Sequence, residues 1–166
     1  SLKTKKMKEE IQAHENILDF VGNTPLIKLK KISQGLKGNF FAKVEAFNPG
    51  HSSKVHEMYP NKKITAVFQP HLFSRTRDFM DGFAESLSTF NNVVLLEIYP
   101  ARELPIEKIN SEVLINKIKS ASKILLPKEE LVSFLTENTP EVLLIIGAGD
   151  VGEMVDEIKT ELEKNN

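Results

Sequence analysis

Short apolar runs alternate with amphipathic stretches along the chain from residue 64 to its end. The apolar runs predict strands at residues 64–68, 93–99, 123–126 and 142–146, and the amphipathic stretches predict helices at about residues 75–88, 111–120, 128–137 and 152–163. Strands that are apolar on both faces, alternating with such helices, are typical of a parallel sheet covered on both sides. The pattern therefore predicts an α/β fold with a mainly parallel sheet and right-handed crossovers.

Residues before position 60 show a weaker pattern with a period of two. Apolar and basic residues alternate over residues 25–32, and apolar and polar residues alternate over residues 39–47, so we expect a strand in each. The loop between them is short, which predicts an antiparallel pair. Ser52 or Ser53 is placed to cap a following helix. We expect a monomer in which these two added N-terminal strands extend a Rossmann-like three-layer sandwich, or a dimer formed by swapping them into a neighbour.

The composition is that of one domain with a substantial core. The chain has 166 residues, of which 40% are hydrophobic and 27% charged, and its net charge of −1 gives no bulk attraction to nucleic acid or to a membrane. It contains no cysteine, which excludes disulfides and thiolate chemistry and agrees with a cytoplasmic location. No signal peptide or membrane span is expected from the sequence. We therefore expect a small-molecule ligand, with no nucleic acid and no membrane partner.

The segment at residues 64–79 carries the clearest candidate chemistry. Its apolar strand stops before Pro70, and His71, Arg75 and Arg77 follow before the apolar period of a helix starts. In open α/β sheets, ligands bind where strands end and where helix N-termini point at anions. Arginine offers a bidentate fork and histidine a further donor, so we predict a carboxylate or phosphate site. Alternatively, the arginines pair with acidic residues of the following helix, which are Asp78, Asp81 and Glu85.

Two further segments are expected at the same edge of the sheet. The sequence Gly147-Ala148-Gly149-Asp150 follows a strand and opens a helix, so Gly147, Gly149 and Asp150 are candidate nucleotide-binding residues; the alternative is a tight turn without a ligand. The loop at residues 100–105 contributes Arg102 as a candidate substrate-binding residue. The sequence contains no Gly-x-x-x-x-Gly-Lys-Ser/Thr motif, and we predict no catalytic residue and no metal site.

Six short motifs follow one another between residues 59 and 150. They are Tyr59-Pro60, Val67-Phe68-Gln69-Pro70-His71, Ser74-Arg75-Thr76-Arg77-Asp78, Ile98-Tyr99-Pro100-Ala101-Arg102-Glu103, Pro105-Ile106 and Gly147-Ala148-Gly149-Asp150. Together they resemble the C-terminal domain of the Mur ligases, most closely the UDP-N-acetylmuramate–L-alanine ligases of peptidoglycan precursor synthesis. The resemblance implies that residues 55–166 form a domain that closes over an ATPase domain and helps to place the amino acid and the nucleotide.

The same resemblance assigns roles to the candidate residues. It implies that Arg75, and after it His71, hold the amino-acid carboxylate, with Arg77 and Arg102 as further substrate-binding residues. ATP and magnesium would act in the full ligase, whose ATPase and uridine-nucleotide domains have no counterpart in this sequence. The expected ligand of this chain is therefore L-alanine or ATP at most, and we expect it to be inactive alone.

The N-terminal part carries motifs of a different family. Gly22-Asn23-Thr24-Pro25-Leu26, Phe41-Ala42-Lys43-Val44-Glu45 and Asn48-Pro49-Gly50-His51-Ser52-Ser53-Lys54 resemble the N-terminal segment of cysteine synthase and cystathionine β-synthase. The resemblance implies that Lys54 forms a Schiff base with pyridoxal phosphate, with Asn48 and Ser52 beside it. The next residues, Val55-His56, depart from the Asp-Arg that is usual in that family.

The two resemblances together predict a chimera that joins residues 1–54, the cysteine-synthase-like segment, to residues 55–166. Three functions stay open at this point. The chain is a Mur-ligase-derived domain that retains part of a ligand site, a pyridoxal-phosphate enzyme fragment, or an engineered scaffold without catalytic activity.

Overall fold

A computed structural model describes residues 27–28, 39–43 and 52–164 of the chain, and these form an α/β fold. The six strands of its sheet are β1 (Ile27–Lys28), β2 (Asn39–Lys43), β3 (Ile64–Gln69), β4 (Asn92–Leu96), β5 (Ser122–Leu126) and β6 (Val142–Gly147). The helices are α1 (Ser52–Met58), α2 (Phe73–Leu87), α3 (Ser111–Lys117), α4 (Leu131–Glu137) and α5 (Val155–Lys164). Short 3₁₀ segments at Lys128–Glu130 and Asp150–Met154 precede α4 and α5.

The strand order in the sheet is β1-β2-β6-β3-β4-β5. All neighbouring strands are parallel except β1, which runs antiparallel to β2. The predicted antiparallel N-terminal pair is therefore confirmed, and so is its place as an extension of the parallel sheet. Strand β3 lies in the middle, between β6 and β4, and all six of its residues are buried.

Helices cover both faces of the sheet, as the sequence predicted for a three-layer sandwich. Alternate residues of β3 point to opposite faces, so that Phe68 packs with the α2 residues Met80 and Phe83. On the other face, Val67 packs with residues of α4 and α5 such as Leu135 and Ile158. Each helix is amphipathic because only one of its sides meets the sheet.

Several element boundaries differ from the predicted ones by a few residues, and two of these differences concern the segments that carry His71 and Tyr99. Strand β4 ends at Leu96, although its apolar pattern continues to Tyr99, because the chain turns away and rejoins β3 only at an isolated bridge between His71 and Tyr99. Helix α2 begins at Phe73 rather than at about residue 75. Arg75 and Arg77, which precede the apolar period of the helix in the sequence, therefore lie in its first turns.

The core makes a direct prediction about stability. Leu95 on β4 is fully buried, whereas Leu104 is 84% exposed. We expect Leu95→Ala to lower the free energy of unfolding by about 2–5 kcal/mol, because it removes apolar contacts and leaves a cavity. The matched variant Leu104→Ala should change it by less than about 0.5 kcal/mol. Urea unfolding followed by circular dichroism measures both, and similar losses in the two variants would contradict this core.

Candidate functional site

The candidate site lies where β3, β4 and β6 end. Beyond the ends of β3 and β4, the backbone of residues 70–72 is hydrogen-bonded to that of Tyr99. Tyr99 N–H donates to the carbonyl of Pro70 at 2.8 Å, and Leu72 N–H donates to the carbonyl of Tyr99 at 2.9 Å. His71 and Tyr99 thus lie side by side, with their rings stacked at 5.7 Å between centroids and 17° between planes. The position of the His71 imidazole is therefore fixed from the β4 side.

The His71 imidazole has an unused polar atom. Its Nδ1 is buried, and within the described part of the chain it has no hydrogen-bond partner. Buried polar atoms are nearly always paired, since an unpaired one keeps its full desolvation cost. This nitrogen is therefore an unsatisfied buried polar atom next to the edge of the sheet.

Leu72, the residue before α2, has a strained backbone. Its φ of 69° lies in the left-handed region although it is not glycine. Such a conformation costs on the order of 1–3 kcal/mol and persists only where neighbouring structure enforces it. Here the enforcing contacts are the bond to Tyr99 and the Leu72 carbonyl, which accepts from Thr76 N–H at 3.1 Å and from Thr76 Oγ1 at 2.8 Å.

The N-terminus of α2 is capped by a carboxylate from a distant loop. Ser74 N–H donates to Glu103 Oε2 at 2.9 Å, and Ser74 Oγ donates to Glu103 Oε1. These hydrogen bonds, the side-chain bond from Ser74 first, lower the pKa of the Glu103 carboxyl below its ordinary value. The prediction that the loop at residues 100–105 lies at this edge is confirmed. The same contact explains why α2 starts early, since its cap comes from residue 103 and not from the local sequence.

The three candidate arginines differ in their surroundings. Arg77 pairs with Asp78 at 2.9 Å, both side chains being about half exposed, so the predicted alternative of pairing within the helix is confirmed for this arginine. The hydrogen bond to Asp78, together with the attraction of its charge, also raises the pKa of the Arg77 guanidinium. Arg75 is half-buried in the first turn of α2, and Arg102 is exposed in the loop after β4; neither has an ion pair or hydrogen bond among the described residues. Ligand binding by His71, Arg75, Arg77 and Arg102 stays a prediction.

The turn after β6 is packed so tightly that it requires glycine. A Cβ atom added at Gly149 would lie 2.5 Å from Gln69 Oε1 and 2.7 Å from two carbons of the Tyr99 side chain. One added at Gly147 would lie 2.7 Å from Val151 Cγ1. Close packing thus accounts for both glycines without a nucleotide, and their nucleotide contacts stay a prediction.

Gln69 and Lys128 are site residues that the sequence analysis missed. Gln69 is only 4% exposed; its Nε2 donates to Asp150 Oδ1 at 2.7 Å, and its Oε1 accepts from Val151 N–H at 3.0 Å. Lys128 Nζ donates to Asp150 Oδ2. The available signal was polarity directly after a strand, since Gln69 ends the apolar run of β3 and Lys128 follows β5 by two positions.

The Asp150 carboxyl has a pKa below its ordinary value of 3.8. Burial acts to raise this pKa, but the hydrogen bonds from Lys128 and Gln69 outweigh it and favour the charged form. In return, the hydrogen bond to Asp150 raises the pKa of Lys128. Asp150 and Lys128 are therefore charged together at neutral pH.

Other candidate sites lie wholly or partly outside the described residues. Ser52 and Lys54 belong to α1 by their backbone, and Asn48 is outside the described ranges, so the pyridoxal-phosphate site stays a prediction. Within the described ranges, no group of three histidine or acidic side chains is placed to hold a metal ion. In the same part of the chain, no helix has the length and apolar character needed to cross a membrane.

Comparison with known proteins shows what most of the chain is similar to. No family model matches the chain. It is 53% identical over 123 residues to a UDP-N-acetylmuramate–L-alanine ligase of Flavobacterium psychrophilum, and 54% identical over 121 residues to one of Christiangramia forsetii. The chain contains a region like the C-terminal domain of the Mur ligases. The matches take in 72% and 70% of this chain but only 28% and 27% of those two relatives, so the chain spans under a third of their length.

Solved structures agree with this fold. A UDP-N-acetylmuramate–alanine ligase of Thermotoga maritima matches 78% of this chain and 28% of its own, with a TM-score of 0.58 at 20% identity. A domain of a Haemophilus ducreyi ligase for UDP-N-acetylmuramate and a diaminopimelate-containing peptide matches 76% of this chain and 94% of its own, with a TM-score of 0.52 at 20% identity. At this identity the two structures support the Mur-ligase-like fold and nothing finer.

The packing of Gly149 gives a prediction with a built-in control. We expect Gly149→Ala to destabilise the protein, because the new methyl group would collide with Gln69 and Tyr99. Gly152→Ala should be close to neutral, since nothing lies within 4 Å of its added Cβ. Thermal unfolding of the two variants decides the matter. Equal Tm values for the two variants would contradict the tight packing of Gly149.

The charge of Asp150 predicts a dependence of stability on pH. A carboxyl whose pKa is lowered by folding contributes stability that is complete above its ordinary pKa of 3.8 and is lost as pH falls through the folded-state value. The urea midpoint of the unmodified protein should therefore fall more steeply than that of Asp150→Asn once the pH drops below the ordinary value of 3.8. Parallel curves for the two proteins would contradict the assignment. Asp81→Asn, which breaks an exposed pair with Lys117, is the control and should have little effect.

Proposed function

We propose that the Mur-ligase-like region serves as the C-terminal domain of an ATP-dependent ligase that joins L-alanine to UDP-N-acetylmuramate, and that this chain is inactive alone. The observation that carries the proposal is the 53% identity over 123 residues with a ligase of that name. The described side chains supply donors at one edge of the sheet but no phosphate-binding loop of the P-loop type, and none occurs in the sequence. We expect such a ligase to act in the cytoplasm.

In this proposal, the residues after β3 bind the amino acid. Arg75 is half-buried and its guanidinium is unengaged by the described residues, so it can give a carboxylate two parallel hydrogen bonds. His71 adds a donor from a ring that Tyr99 holds in place. Arg102, exposed on the neighbouring loop, adds positive charge, and Arg77 does the same at lower strength because Asp78 already pairs with it.

The contribution of these residues to the ligase reaction is positional. Holding the L-alanine carboxylate fixes the direction of its amino group toward the activated carboxyl of the other substrate. ATP and magnesium, which activate that carboxyl, would be held mainly by the ATPase domain of the full ligase. The turn at residues 147–150 faces the same edge and is the proposed contact with the nucleotide.

Exchange of the domain tests the proposal. The C-terminal domain of the Flavobacterium psychrophilum ligase is replaced by residues 55–166, and ADP release that depends on L-alanine is measured. We expect turnover, and we expect Arg75→Ala to raise the KM for L-alanine about tenfold or more, because one charge-assisted interaction is worth about 1.5–3 kcal/mol.

The control for this experiment is Lys119→Ala, which removes an exposed cation outside the site and should leave the KM unchanged. A folded hybrid without turnover would contradict the proposed function. An unchanged KM in Arg75→Ala would contradict the role of Arg75.

A further inference from the structure

One continuous set of hydrogen bonds joins the ends of three strands at the site. Lys128, after β5, donates to one oxygen of Asp150, and the other oxygen accepts from Gln69 Nε2 at 2.7 Å. Gln69, at the end of β3, uses its remaining amide oxygen to accept from Val151 N–H at 3.0 Å. Both oxygens of Asp150 and both polar atoms of Gln69 are thus engaged, so the two side chains are held in one arrangement.

Packing contacts connect these hydrogen-bonded residues to His71. The backbone of Gly149 lies against Gln69 Oε1 and against the Cβ and Cγ atoms of Tyr99, so closely that even a methyl group would not fit. The ring of Tyr99 stacks on the ring of His71. Because interiors at this density transmit small displacements, a shift of Gly149 changes the space that Tyr99 and then His71 can occupy.

We propose that Gln69, Asp150 and Lys128 are positioning residues for His71. They hold the turn after β6 against Tyr99, and Tyr99 holds the imidazole that faces the ligand. The inference rests on the proposed function in one respect, namely that His71 meets a ligand there. It gives Asp150 a positioning role through its hydrogen bonds with Gln69 and Lys128, beside the nucleotide contact proposed above for the turn at residues 147–150.

Substitution of Lys128 is the sharpest way to disturb the set of bonds. Lys128 is only partly buried, so Lys128→Met should leave the core intact, whereas a change at Gln69 would leave buried amide partners unpaired and risk unfolding. Lys128→Arg preserves the charge and the hydrogen bond to Asp150. Lys117→Met is the matched control, because it breaks another lysine–aspartate pair, with Asp81, that is not part of this set.

The experiment follows the imidazole protons of His71 by NMR in the full 166-residue chain. The signals are assigned with His71→Asn, and core amide signals check that each variant is folded. We expect the His71 signals to move in Lys128→Met, to return to the unmodified positions in Lys128→Arg and to stay in place in Lys117→Met. Ring protons stacked on Tyr99 report its position directly, whereas a purely stabilising ion pair would not move them.

Unchanged His71 signals in a folded Lys128→Met protein would overturn the inference, and so would equal shifts in Lys117→Met. Titration with L-alanine is a second measurement. It tests whether His71 meets a ligand, independently of whether Lys128 affects the position of His71. If the signals move in Lys128→Met but L-alanine never perturbs them in the unmodified chain, the positioning set stands and the proposed function of His71 fails. Titration with ATP–magnesium that moves the Asp150 amide and breaks its bond to Lys128 would instead assign Asp150 to the nucleotide.

Discussion

The parallel pairing of β3 between β6 and β4 is the constraint on which the site depends. This pairing brings the carboxyl ends of three strands to one edge, although their residues are far apart in sequence. Gln69 and Asp150, which share a hydrogen bond, are separated by 81 positions. Because β3 is fully buried, its register with β4 and with β6 is fixed. The polar residues that follow these strands are therefore held at fixed positions relative to one another.

The N-terminus of α2 shows how this edge differs from a generic helix-terminus anion site. The backbone N–H of Ser74, in the first turn of the helix, already donates to Glu103. Leu72, the residue before the helix, has a strained backbone with a positive φ. The backbone N–H of Ser74 is therefore not free to bind an anion. Among the described residues, Arg75 has no ion pair and the buried Nδ1 of His71 has no hydrogen-bond partner.

Periodicity predicted the elements well because their apolar faces are local properties of the sequence. The strands and the helices on both faces of the sheet follow from it, as does the antiparallel pair at the start. The sequence could not predict the early start of α2, because its cap, Glu103, lies 29 residues beyond Ser74. It could not reveal Gln69 and Lys128 as site residues either, since their partner Asp150 is brought to them only by the fold. The glycines of residues 147–149 were found by motif, but their packing reason required coordinates.

The central claim is that this edge of the sheet recognises the carboxylate of an amino acid. The most direct measurement is a titration of the full chain with L-alanine and, separately, with L-alaninamide, which lacks the carboxylate. Chemical shifts of His71 and of the α2 amides report binding. The account predicts saturable shifts with L-alanine that L-alaninamide does not reproduce. Equal responses to both compounds, or none to L-alanine, would contradict it.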